Sequence, residues 1–308
     1  MKLTGSLIAA AVAMAFAMPA TAQERISIGT GGTGGLFYVI GAGMAELITE
    51  HMPDTTARAE VTGASIENIR RTALGELELG FSSSSTLYEA ASGTGAFDGD
   101  PHPVAALAYL YPAVMQVATT ARTGITSFED LAGRPVSLGP PGSNAAVLAQ
   151  RLLESYGAFS PENAQFLSYA EGVNALVNGS VDAAVVLAGA PVAALIDLDA
   201  REDMVLLPVD AESVAGLLEE YPFYQLYEIP ANTYGGVTDP TLVINDPAVL
   251  FVHADAPDEF VQAMTAALFD NLDTLGEIHP LARLILHETA PNTPIDLHAG
   301  AAAYFAGN

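Results

Sequence analysis

The chain has 308 residues, 36 of them acidic and 10 basic, giving a formal net charge of −26, and it contains no cysteine. That charge balance repels nucleic acid and anionic lipid. The missing thiols exclude disulfides, cysteine-held zinc, thiol catalysis and iron–sulfur clusters.

Residues 1–22 read as an export signal. Lys2 is followed by the apolar run Leu7 to Met18, and Ala20-Thr21-Ala22 supplies a small-x-small cleavage site before Gln23. The run falls short of the roughly 20 apolar residues a spanning helix needs, an uncleaved anchor being the alternative. Cleavage leaves nine bases, all arginine, against the 36 acids. Those acids are scattered, which fits a surface adapted to salt better than a functional acidic patch. No later segment combines the length and freedom from charge of a membrane span, so the mature chain is expected to be soluble.

The mature chain alternates strands with helices. A strand is expected over Arg25 to Gly29, a helix over Leu36 to Glu50, a second strand over Ala57 to Val61, and then a helix with Ser65 as its N-cap. A third strand, Leu77 to Phe81, runs into the serine series Ser82 to Ser85 and a helix through Tyr88. The cadence returns with strands at Pro135 to Leu138, Ala164 to Ser168 and Val181 to Leu187, and with helices at Ala145 to Tyr156 and Val173 to Asn178. From Pro257 a further helix places Phe260, Met264, Leu268 and Leu272 on one face. Such alternation implies an α/β protein with parallel sheets. Two blocks of similar size imply two lobes, and the extended apolar stretches Tyr109 to Thr120 and Thr241 to His253 are the expected crossings between them. The expected division is 23–113 with 238–308 for lobe one, and 114–237 for lobe two.

In open α/β sheets ligands bind beyond the carboxyl ends of the strands. That rule selects Thr30 to Gly35, Thr62 to Ser65 and Ser82 to Thr86 in the first block, and Gly139 to Asn144 and Ala188 to Pro191 in the second. The candidates there are Thr30, Thr33, Gly34, Gly35, Ser65, Ser83, Ser84, Ser143, Asn144, Ala188 and Gly189. Several of these loops open a helix, so free N–H groups and the positive helix end suit an anion. None contains an acid, which disfavours a cation, and none contains an arginine; Arg70 and Arg71 lie deeper in their helix. Tyr38, Tyr111 and Tyr234 are candidates for walls or hydroxyl donors, with a place in the core as the alternative.

Rival readings are weaker. Gly29-x-Gly31-x-x-Gly34 with Glu60 after the next strand imitates a dinucleotide fingerprint, but an exported address opposes a redox nucleotide. The six histidines form no His-Glu-x-x-His pattern, and no metal or other cofactor is expected. Gly-x-Ser-x-Gly is absent around Ser143, and the mature chain has no lysine to activate a serine. An exported serine hydrolase, or a receptor reporting to a sensor, remains the alternative to a transport role.

Gly29-Thr30-Gly31-Gly32-Thr33-Gly34-Gly35-Leu36-Phe37-Tyr38 resembles the TAXI family (TRAP-associated extracytoplasmic immunogenic proteins), solute-binding subunits of tripartite ATP-independent periplasmic transporters. The resemblance continues through Val61 to Asn68, Tyr111-Pro112, Gly142-Ser143, Ala188 to Pro191, Ile229 to Tyr234 and Ala267 to Leu272. It implies a two-lobed type II periplasmic-binding-protein fold with two hinge strands, closing on a small anionic solute and delivering it to TRAP-type permease subunits. Glutamate, 2-oxoglutarate or a related acid is the kind of ligand implied, held by Thr33, Gly34, Gly35, Tyr38, Ser83, Ser84, Ser143 and Asn144. Where the family usually shows Gln-Ser-Asp, this chain has Ser83-Ser84-Ser85; where a His is common it has Gln116. If the absent Asp receives an amino group, a keto acid or dicarboxylate is expected in preference to glutamate.

Overall fold

A computed structural model describes residues 24–221 and 223–307; the expected signal segment lies outside the described residues. The first half of the chain sets down β1 (Glu24–Gly29), α1 (Leu36–His51), β2 (Thr55–Glu60), α2 (Ser65–Ala73), β3 (Leu79–Ser83) and α3 (Ser84–Ser92), then β4 (Val104–Tyr111) and β5 (Val114–Thr120). Next come β6 (Val136–Ser137), α4 (Asn144–Ser155), β7 (Ala164–Gln165), α5 (Tyr169–Val177), β8 (Ala183–Ala188), α6 (Ala193–Arg201), β9 (Met204–Leu206) and α7 (Ala215–Glu220). The chain finishes with β10 (Gln225–Ile229), β11 (Thr241–Asn245), β12 (Ala248–His253), α8 (Asp258–Phe269), α9 (Leu272–Ile278) and α10 (Ala299–Gly307).

Two sheets result. The five-stranded one runs β2-β1-β3-β12-β4, and the seven-stranded one runs β10-β11-β5-β8-β6-β7 with β9 paired to β5. Within each sheet a trio is parallel: β2, β1 and β3 in the first, β7, β6 and β8 in the second. Both crossings pass directly from one sheet to the other. β4 gives way to β5 at Pro112-Ala113, and β11 to β12 at Asp246-Pro247. They run side by side, for Asn245 pairs with Val114, Ala248 pairs with Tyr111, and Asp246 N–H donates to Ala113 O at 2.8 Å. The two-lobed periplasmic-binding fold with two hinge strands is therefore the observed architecture.

Local differences from the sequence expectations have physical causes. β3 extends through Ser82 and Ser83, because their backbones pair with Val249 and Ala248 of β12, a long-range partner that periodicity cannot show. The N-cap of α2 is Ala64; Ser65 is the first helical residue, and its Oγ accepts from Ser83 N–H at 3.0 Å. The terminal apolar face is split between α8 and α9, since the helix breaks at Asp270-Asn271. Each lobe packs its sheet against helices through buried Ile, Leu, Val and Phe, with Ile26, Ile28, Phe81 and Phe251 among the fully buried side chains.

Candidate functional site

The carboxyl ends of both parallel trios meet at one cavity of about 220 Å³. Gly31 to Phe37 after β1, Val61, Ala64 and Ser65 after β2, and Ser83 at the end of β3 line it from the first lobe. Pro140, Ser143, Asn144 and Ala145 after β6, Ser168, Tyr169 and Ala170 after β7, and Leu187 and Ala188 of β8 line it from the second. Tyr111, the last residue before the first crossing, forms its floor. The rims touch. A methyl added at Gly35 would come within 3.5 Å of Tyr169 Cε2, and one at Gly63 within 3.2 Å of Pro141 O. At about 30 Å³ per water the space suits a guest displacing roughly seven waters, smaller than a drug-sized ligand.

Buried polar residues hold the loops in place. Asn68 Nδ2 donates to Thr30 O at 2.8 Å and to Phe81 O at 2.9 Å, while its Oδ1 accepts from Thr62 Oγ at 2.7 Å. One amide thus ties the ends of β1, β2 and β3 together. In the second lobe Ser143 caps α4, its Oγ donating to Pro140 O at 2.7 Å and accepting from Ala146 N–H. Ser168 and Glu171 form a reciprocal capping box at α5, and the serine hydroxyl and amide hold the exposed Glu171 carboxyl below its usual range.

Helices α1, α2, α4 and α5 begin at residues that line the cavity, and α3 begins one residue after Ser83, which also lines it. Ser143 caps α4 and Ser168 caps α5, while the α3 start is met by Asp246, which accepts from Ser85 N–H at 3.0 Å. The cap residues of α1 and α2, Gly35 and Ala64, bring no side-chain hydrogen bond. Their first-turn N–H groups and positive helix ends are the donors available to an anion. Tyr111 borders the cavity but is fully buried; its OH has no partner among the described residues, and burial drives its pKa far above the ordinary range. Tyr169 is half-buried; desolvation raises its pKa as well, and its OH donates to Leu187 O at 2.9 Å. Among the described residues, no charged side chain and no histidine lines the cavity.

A model of one family matches residues 28–307, nearly the whole described chain. The chain belongs to the NMT1-like family. Its fold is shared by MatC from Rhodopseudomonas palustris with bound malate, 14% identical at a TM-score of 0.56 and covering 92% of this chain and 97% of that one. It is also shared by a binding-protein component of an ABC phosphonate transporter from Pseudomonas aeruginosa, at 12% identity, TM-score 0.54, and 86% and 80% coverage. PhnD1 from Prochlorococcus marinus in complex with methylphosphonate is 11% identical, with a TM-score of 0.53 over 86% and 92% of the two chains. At these identities the likeness establishes the fold.

In this NMT1-like protein Thr33, Gly34, Gly35, Ser65, Ser83, Tyr111, Ser143, Asn144 and Ala188 share the one cavity. Five expected residues are elsewhere. Thr30 is fully buried beneath the loop, its Oγ donating to Glu60 O at 2.6 Å. Tyr38, about 200° round α1 from Leu36, lines a recess with Glu46 and Thr49 on the outer face. Ser84 opens on a different recess with Tyr109, Phe223 and Pro247. Gly189 is packed where a methyl would come within 2.6 Å of Leu281 and 2.8 Å of Leu36. Tyr234 is a core residue whose OH donates to Gln116 Oε1 and accepts from Val192 N–H at 3.1 Å. Arg71 is engaged by Glu60 at 2.6 Å and Arg70 lies over the Phe97 ring, so neither reaches the cavity.

Ser85 is also off the cavity, bonded to Asp246, so its identity says nothing direct about an amino group on the ligand. The residues that sequence reasoning missed include Ser168, read as the end of a strand, Tyr169, which opens α5 ahead of the expected helix, and Asp246, buried in the second crossing. The Ser168-x-x-Glu171 spacing was the available signal for the first two. For Asp246 a lone acid in an apolar stretch was the only sign.

Proposed function

We propose that this NMT1-like protein is an exported solute-binding protein of the TAXI type that captures a small organic anion between its lobes, at the residues lining this cavity, and delivers it to a TRAP-type permease. The observation that carries the reading is the cavity itself, where the strand ends of both lobes present neutral donors, and the first lobe two uncapped helix starts, to one partly open space. Contacts divided between two lobes favour the closed state only when both sets form, so binding shifts an open–closed population. With no carboxylate among the described residues of the lining, an ammonium group finds no partner there, which supports a keto acid or dicarboxylate over glutamate. The malate held by a protein of the same fold supports that class. The lining also holds no histidine or acid to serve as a base for Ser83 or Ser143, which supports binding over hydrolysis.

Titration calorimetry with malate, 2-oxoglutarate, short dicarboxylates and glutamate tests the assignment. Tight binding of a dicarboxylate or keto acid is expected; binding of glutamate alone, or of none of them, overturns it. A second reading, delivery to an ABC-type permease, is favoured by the phosphonate-transporter component of like fold. Uptake in vesicles separates the two, because a TRAP-type route stops when the ion gradient is dissipated while ATP is maintained.

A further inference from the structure

α3 follows β3 of the first sheet and α4 follows β6 of the second, so any bond between these helices joins the two lobes. Asp246 lies at the second crossing and is fully buried. Its Oδ1 accepts from Ser85 N–H at 3.0 Å, and its Oδ2 accepts from both Ser85 Oγ and Asn144 Nδ2. Asn144 lines the cavity and begins α4. Farther along the same helices Glu89 meets Arg151 at 2.6 Å, both nearly buried, and Arg151 Nη1 donates to Tyr224 OH at 2.8 Å.

We propose that Asp246 is a positioning residue for the cavity, holding the ligand-facing Asn144 of one lobe against Ser85 of the other and so latching the closed arrangement. The proposal rests on the reading of the protein as a closing binding protein. Separation of α3 from α4 breaks the Asn144 bond and the Glu89–Arg151 pair together, leaving Asp246 with Ser85 alone. A buried carboxylate stripped of a donor is costly unless water replaces it, so the latch opens only as the hinge region hydrates. The charged and titratable groups around Asp246 are Glu89 and Tyr224, with Arg151 beyond them. In the closed form burial holds Asp246 up at about 6. Hydration on opening lowers it, so closure takes up a proton and is favoured as pH falls through that value.

The chain has no cysteine, so a pair introduced at Leu74 on the first lobe and Ile196 on α6 of the second, 74% and 52% exposed, accepts spin labels without interference. Distance distributions are recorded for the full mature chain and for D246A and D246N, with and without 2-oxoglutarate as probe. D246A is expected to move the population to longer separations and to weaken probe binding about tenfold or more, as for a lost hydrogen bond to a charged group. D246N keeps one acceptor oxygen and turns its NH2 on either Ser85 N–H or Asn144 Nδ2, so it is expected to shift the distances part of the way towards those of D246A and to lose the pH response between 5 and 7. Should D246A fail to fold, S85A removes one bond to Oδ2 together with the direct bond from Asn144 Nδ2 to Ser85 Oγ at 3.1 Å, and is expected to lengthen the distances in the same direction. Distances in the alanine variant that match the wild type overturn the latch. Wild-type distances that ignore every carboxylate refute capture instead, and the comparison of ligand-free D246A with wild type still decides the latch.

Discussion

Tyr111 ends β4 with its hydroxyl sealed from water and without a protein partner, an arrangement that costs stability unless a ligand supplies the acceptor. Tyr111→Phe is therefore expected to leave the melting temperature unchanged or slightly raised, while affinity for the solute falls by about 1.5–3 kcal/mol, the range for hydrogen bonds to charged groups. Calorimetry and thermal melts on the same samples check both halves; unchanged affinity places the hydroxyl outside the ligand contacts. Asp246 carries a different signature, because burial raises its carboxyl from 3.8 to about 6. Between those values the folded chain binds a proton that the unfolded chain does not, so this group favours the fold more as pH falls and costs most above pH 6. The gap between the Asp246→Asn and wild-type melting temperatures is expected to move in the variant's favour as pH rises from 4 to 8. A gap that stays constant with pH means Asp246 does not titrate in this range.

At the scale of elements, the start of α2 is strained. Ala64 adopts φ 69°, ψ −145°, a region that glycine alone occupies readily, at the point where the β2 loop turns into the cavity. Replacement by glycine relieves strain of about 1–3 kcal/mol and returns about 0.4–1 kcal/mol through the freer unfolded chain. Ala64→Gly is therefore expected to stabilise the protein by about 1 kcal/mol in denaturant melts, and a destabilised variant means that the backbone relaxes there. The element also shows how far sequence reasoning reached. A serine before an apolar helix is a sound cap signal, yet Ser65 sits one residue inside α2 and Ala64 stands at the cap. What moved it is the bond from Ser83 N–H to Ser65 Oγ, made by a strand 18 residues away. Similarly, Ser84 and Ser83 were indistinguishable in the serine run. The pairing of β3 with β12 decided that Ser83 faces the cavity while Ser84 opens on another recess.

At the scale of the whole molecule, a formal charge of −26 surrounds a cavity whose lining carries no charge. The long-range field opposes the approach of an anion, while the short-range donors hold it once inside. Salt shortens the screening length from about 10 Å at 0.1 M to about 3 Å at 1 M and so removes the first effect with little change to the second. Association of a dicarboxylate is expected to quicken several-fold over that range in stopped-flow measurements, with dissociation nearly constant. An association rate that falls with salt indicates a basic entry path.

The alternation of strands and helices, the glycine-rich loops at strand ends and the two crossings were legible in the sequence, because local periodicity and turn chemistry determine them. Which of those loop residues face one another was not. Tyr38, Ser84, Gly189 and Tyr234 have the same residue types as their neighbours in the cavity and differ only in the direction that helix rotation, strand register and packing impose. The buried cluster of Ser85, Asn144 and Asp246 joins residues 59 to 161 positions apart; the pairing of β3 with β12 brings Ser85 to Asp246, and only the docking of one lobe on the other brings Asn144 to both.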